Sequence, residues 1–292
     1  MIAALITATS SAALADGTLT AAPPPDAKEL VSAPTAVANV PVIATPTDST
    51  SATVSAGGQL STGNSRLAAA TANGKFDMRR GSDGFGASLL GNYGQGALPG
   101  QEIVETTANL QGRVRYDRYV IEQMSLFGIA TGRYDKFQGL DFRLNLDPGV
   151  KYLFVNSGPT ALWGELGYDF QYDIRNDSAL VQTDAMGMPL PSLDKTATDH
   201  SGRAFVGFTH AFNKEVTFST GIEYLQSLVD STRYRLNYDG VFAANIGAGL
   251  ALGVGISARY DHAPLPGKQD LDTATTLSLI YAFSAPPPAA TP

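Results

Sequence analysis

The chain has no cysteine among its 292 residues, so disulfides and thiolate metal sites are excluded, while an oxidising compartment remains permitted. It has no apolar run of the roughly 18 to 20 residues that a membrane helix needs, and its mean hydropathy is near zero. A helical membrane protein is therefore excluded. Basic residues are in the minority, 20 against 27 acidic, and the net charge of -7 offers no field for nucleic acid. Histidine and tryptophan are also scarce, at three and one, whereas glycine (30), tyrosine (12) and phenylalanine (13) are plentiful and suit an aromatic-rich sheet.

What is present is alternation. From Leu140 to Asp147 every even residue is large and apolar and every odd one polar, and after the turn at Asn156 to Pro159 the pattern returns, with Leu166, Tyr168, Phe170 and Tyr172 on one face and Glu165, Asp169, Gln171 and Asp173 on the other. The pattern recurs about a dozen times, and no helical segment is available to cover so much apolar surface. A barrel that is apolar outside and polar inside accounts for this. The fold class expected is all-β: a single antiparallel up-and-down transmembrane β-barrel of about 12 strands at 51–62, 65–78, 83–95, 103–118, 122–136, 140–154, 160–175, 200–212, 215–228, 231–246, 249–262 and 271–283. Residues 1–15 read as a secretory signal cut after Ala15, without the usual basic leader, which points to a truncated start. Residues 16–50 read as a Pro/Ala/Thr-rich periplasmic linker, 51–283 as the barrel and 284–292 as a flexible tail.

Loop lengths and aromatics orient the barrel. The tight connections Arg80-Gly81-Ser82, Asn156-Ser157-Gly158, Asn213-Lys214 and Gly247-Ala248 all follow even strands, and the longest, about Asn176 to Asp199, follows the seventh. Tyrosines Tyr93, Tyr134, Tyr172, Tyr224 and Tyr260 fall near the ends of odd strands, as an outer girdle requires. Phe76, Tyr116, Tyr152, Phe212, Tyr281 and Phe283 fall near the ends of even ones, as a periplasmic girdle requires.

Parity then assigns an inward face. It carries the cations Arg113, Arg115, Arg133, Arg143, Arg203, Arg233, Arg235 and Arg259 and the carboxylates Asp117, Asp135, Asp141, Asp147, Glu165, Asp169, Glu223, Asp239 and Asp261. Opposite signs alternate along single strands, so cross-strand ion pairs are expected. Two readings stay open: a bracing lattice that fills a lumen intermediate between filled and water-filled barrels, or a narrow polar channel of weak selectivity. In the first, the 176–199 loop or the linker would meet an envelope protein. No enzymatic activity, cofactor or metal is expected, because His200, His210 and His262 have no serine two residues away and their acidic neighbours Asp199 and Asp261 are adjacent, on the opposite face.

Several phrases resemble the salt-induced outer-membrane protein family, a domain of unknown function: Ser61 to Ser65, Arg115 to Tyr119, Gly132 to Phe137, and Leu140 to Arg143 leading to Pro148-Gly149-Val150. The resemblance covers about residues 55 to 283. It implies a barrel in the cell outer membrane of a Gram-negative bacterium, linked to salt or envelope stress, with no catalytic residues. The last strand, Leu277 to Phe283, resembles the terminal signal read by the barrel assembly machinery. Outer-membrane lipid and lipopolysaccharide are the other expected partners.

Overall fold

The computed structural model describes residues 48–61, 66–97, 101–177, 180–181, 188, 191–264 and 270–285. The expected signal, the linker up to residue 47 and the tail from 286 lie outside the described residues. Alternating apolar and polar residues form twelve strands: β1 (Asp48–Ser61), β2 (Arg66–Arg80), β3 (Asp83–Ala97), β4 (Val104–Ile121), β5 (Met124–Asp135) and β6 (Leu140–Ser157), then β7 (Thr160–Arg175), β8 (Thr196–Ala211), β9 (Val216–Ser227), β10 (Tyr234–Gly247), β11 (Leu250–Asp261) and β12 (Leu271–Ala285). Each pairs antiparallel with its sequence neighbours, and β1 pairs with β12 from Thr50↔Ala285 to Gly57↔Ser278, which closes the barrel. Closure removes the sheet edges, and with them the unpaired N–H and C=O groups that hydrocarbon would not tolerate.

The two ends differ because their connections differ. After β2, β6 and β10 the chain reverses within two residues, with Gly81, Gly158 and Gly249 at positive φ. Such φ values cost an ordinary side chain but not glycine. The connections after odd strands are mostly longer, up to residues 176–195 between β7 and β8.

The outward face is an apolar belt. Val114, Leu126, Leu146, Val150, Leu166, Val206, Ile222, Leu252 and Val254 are all exposed on even positions of their strands, and Leu277 on an odd position of β12. In water this would be a severe liability, and in a bilayer it is the required surface, so the architecture is that of a transmembrane β-barrel. At the tight-turn end Tyr116, Tyr152, Phe212 and Tyr281 are exposed on the same face, and Phe76 is at the margin of exposure. At the other end lie exposed Tyr93, Tyr134 and Tyr224 and half-buried Tyr172 and Tyr260, while the Phe283 side chain is outside the described residues. Tyr234 packs between Tyr224 and Tyr260, with ring centroids 5.9 and 5.8 Å away.

Candidate functional site: an ion-pair lattice in the lumen

Odd residues of β4 to β11 turn inward, and there they meet across the barrel. Arg115 on β4 gives both Nε and Nη2 to the Asp117 carboxylate, at 2.6 and 2.8 Å, and extends Nη1 to Glu165 Oε1 on β7 at 2.8 Å. Two strands lie between those partners, so neither side chain could face lipid. The other Glu165 oxygen accepts from Arg203 on β8 at 2.9 Å, and Arg203 Nε donates to Glu223 on β9 at 2.6 Å. Asn237 on β10 then donates to the second Glu223 oxygen at 2.9 Å. A continuous chain of charge-assisted bonds therefore runs from β4 to β10. Glu165 is 2% exposed and Arg203 3%, and at such burial a charge is tolerable only when every oxygen and most N–H groups are engaged.

A second tier lies nearer the long loops. Arg143 makes a two-pronged pair with Asp173 at 2.7 Å on each arm, Arg133 donates to Asp135 at 2.7 Å, and Arg259 donates to Asp239 at 2.6 Å. Arg235 on β10 reaches β7, donating to Gln171 at 2.9 Å and lying 3.6 Å from Asp169. Asn145 also donates to Asp169, at 2.7 Å. Asp147, expected on the lumen face, is half-buried beside Asp169.

Apolar side chains are set among these charges, which the sequence did not announce. Phe127, Ile129, Trp163, Phe205 and Leu225 occupy inward positions and are all buried, Trp163 completely. The Arg115 guanidinium lies over the Phe127 ring with its carbon 4.5 Å from the centroid, and Arg203 sits 5.8 Å from the same centroid. The rings find room over glycines: a Cβ on Gly207 would fall inside the Trp163 ring, and one on Gly149 would strike Phe127. Parity alone places these aromatics inward, but an apolar inward residue breaks the polarity rule by which lumen residues are sought.

Two expected lumen residues lie elsewhere. Asp141 is displaced by a β-bulge, since Leu140 pairs with Arg175 but Phe142 pairs with Ile174. The extra residue shifts the parity locally. Leu140, buried beside Asp135, takes the inward place, and Asp141 is half-exposed at the rim, 3.5 Å from Lys195 of the long connection. Arg233 is exposed in the connection before β10, not on the wall. It lines a shallow rim cavity with Asp199, Arg235 and Asp261.

The histidines make outward or rim contacts. His200 bonds through Nδ1 with the Tyr168 hydroxyl, His210 with Thr160 at 2.8 Å, and His262 stacks on Tyr234 with centroids 4.6 Å apart. Among the described residues no three His, Cys, Asp or Glu side chains form a metal-binding group.

The remaining sector is lined mostly by small residues, Thr53, Ser55 and Gly57 on β1, Thr71 and Asn73 on β2, Gly253, Gly255 and Ser257 on β11, and Thr276 and Ser278 on β12, with Ile280 as the larger inward side chain of β12. Thr53, Ser55, Thr71, Asn73, Thr276 and Ser278 all keep accessible surface despite facing inward. Lys75 and Asp77, next along β2, do so too, with 17% and 35% of their side chains exposed. The lumen is thus lopsided, with ion pairs and rings from β4 to β10 and small, half-buried side chains on β12, β1 and β2.

Closed architecture, apolar belt and charged interior together define a membrane-spanning β-barrel. The chain belongs to the family described as "Protein of unknown function, DUF481", whose model matches residues 54–283. No curated protein matches it. Among solved structures it is similar to the NanC porin, at 14% identity and a TM-score of 0.45 over 79% of this chain and 97% of that one. An outer membrane channel from Pseudomonas putida F1 is similar at 12% identity and a TM-score of 0.45, over 83% and 97% of the two chains. The translocator domain of the autotransporter NalP from Neisseria meningitidis is similar at 13% and 0.44, over 81% and 87%.

Proposed function

We propose that this protein is an outer-membrane barrel of a Gram-negative bacterium that conducts small ions and polar solutes through a narrow, off-centre passage. The reading is carried by the lopsided lumen: inward Thr, Ser and Asn side chains of β12, β1 and β2 keep accessible surface, while those of β4 to β8 are largely buried in ion pairs and rings. Charges on one wall and hydroxyls on the other would replace part of the hydration shell of a small ion. Both signs face that passage through Lys75 and Asp77, which supports weak selectivity. The tight-turn end faces the periplasm in this reading, the girdles meet lipid and lipopolysaccharide, and the last strand is what the assembly machinery reads. The link to salt stress rests on the family resemblance alone.

Liposome efflux tests it. Vesicles holding the refolded protein should release a halide much faster than a disaccharide, and Thr71→Trp should slow the halide. No release above protein-free vesicles would contradict the reading.

A second reading is favoured by the burial of Glu165 and Arg203: a barrel of structural or interaction role, its lumen braced shut and its long 176–195 connection meeting an envelope protein. In that case deleting the connection would abolish the interaction and leave vesicle permeability unchanged.

A further inference from the structure

The buried cation Arg113 has no ion-pair partner among the described residues. Arg113 on β4 is 8% exposed, and among the described residues its guanidinium makes no ion pair or hydrogen bond, its Nε being closed off from any acceptor. A buried, unpaired guanidinium is among the least tolerable groups in a folded chain.

The carboxylates around it are all committed. Asp117 holds Arg115 with both oxygens, Glu165 is divided between Arg115 and Arg203, and Glu223 between Arg203 and Asn237. Asp77 holds Lys75 at 2.8 Å. A fourth buried cation, Lys151, also lacks an ion pair among the described residues and lies 5.7 Å from the Trp163 ring centroid. The ion pairs of Asp117, Glu165 and Glu223 thus go to Arg115 and Arg203 alone, and none reaches Arg113 or Lys151.

Arg113 also borders a cavity. Its other polar side chains are Lys75, Asp77, Ser88 and Arg115, and it has room for little more than a water-sized particle. Three cations against one carboxylate favour an anion, the small space excludes a large one, and Asp77 disfavours a double negative charge.

We propose that this cavity is a binding site for one small monovalent inorganic anion of the halide class, seated against the Arg113 guanidinium between Lys75 and Arg115. The anion supplies the partner that Arg113 lacks and completes the lattice. The site does not depend on solute crossing the lumen, so its test and that of conduction can fail separately.

Crystals of the folded protein grown in bromide test it through anomalous scattering. A peak is expected in contact with Arg113, absent in Arg113→Met and weaker in Lys75→Met. In solution, exchanging chloride for gluconate at constant ionic strength should lower the thermal unfolding midpoint of the native protein and leave that of Arg113→Met unmoved, because only an ion that binds the folded state stabilises it. Apparent bromide affinity should fall roughly tenfold or more in Arg113→Met. If that variant does not fold, Lys75→Met decides, with a loss of several-fold supporting the site. No peak at Arg113 in the native protein, an unchanged peak in the variants, or displacement of bromide by equimolar phosphate would overturn the proposal.

Discussion

Arg115 and Glu165 meet at 2.8 Å although β5 and β6 lie between their strands, and the same carboxylate is held from its other side by Arg203 at 2.9 Å. One glutamate thus ties together a stretch of wall from β4 to β8, five of the twelve strands. Charge-assisted bonds of this kind carry direction as well as energy, so the pairing sets the shape of the lumen more than it sets overall stability.

Removing that glutamate should therefore be costly. Glu165→Leu leaves two buried guanidiniums without their shared partner, and a loss of about 3 to 5 kcal/mol is expected in urea unfolding. Replacing all three as Arg115→Met, Glu165→Leu and Arg203→Met should recover much of it, since apolar side chains of similar volume dispense with desolvation. By contrast the exposed pair Arg118–Asp83, with side chains 55% and 46% exposed, should show no measurable coupling by double-mutant cycle, because solvent screens it.

Trp163 is the single tryptophan and reports on the lumen without labelling. It is fully buried against Phe205 and the backbone of Gly207. Its emission should be short in wavelength and insensitive to acrylamide in the folded barrel. Gly207→Ala places a methyl where the ring now lies, so emission should shift to longer wavelength, with a destabilisation of about 1 to 3 kcal/mol by the same urea titration.

The bulge at Leu140 to Phe142 separates two views of Asp141. Strict alternation would make it a lumen charge; the bulged strand makes it a rim charge held near Lys195. Asp141→Lys should accordingly leave the cation-to-anion permeability ratio unchanged, whereas Asp77→Lys, beside the small-residue sector, should shift it toward anions. Reversal potentials across a salt gradient measure both.

Much of the fold was legible because a period of two survives wherever one face meets lipid and the other polar groups. Strand number, the tight turns at Gly81 and Gly158 and the apolar belt through Val114, Leu126 and Leu166 all follow from it. The candidate site was legible only in part. Parity marked Arg115, Glu165 and Arg203 as facing one way, but no local pattern tells that β4 and β7 residues touch. Phe127 and Trp163 were hidden by their own hydrophobicity, since their inward seats depend on the distant glycines Gly149 and Gly207. The bulge at Asp141 was invisible for the opposite reason, because the amino-acid alternation continues through it while the backbone does not.

Single-channel recording in planar bilayers tests the central claim most directly. Purified, refolded protein should give small conductance steps in molar salt, and Thr71→Trp should diminish them while Glu165→Gln changes them less. An absence of steps from protein shown to be folded, or steps indifferent to Thr71→Trp, would contradict a passage running beside β12, β1 and β2.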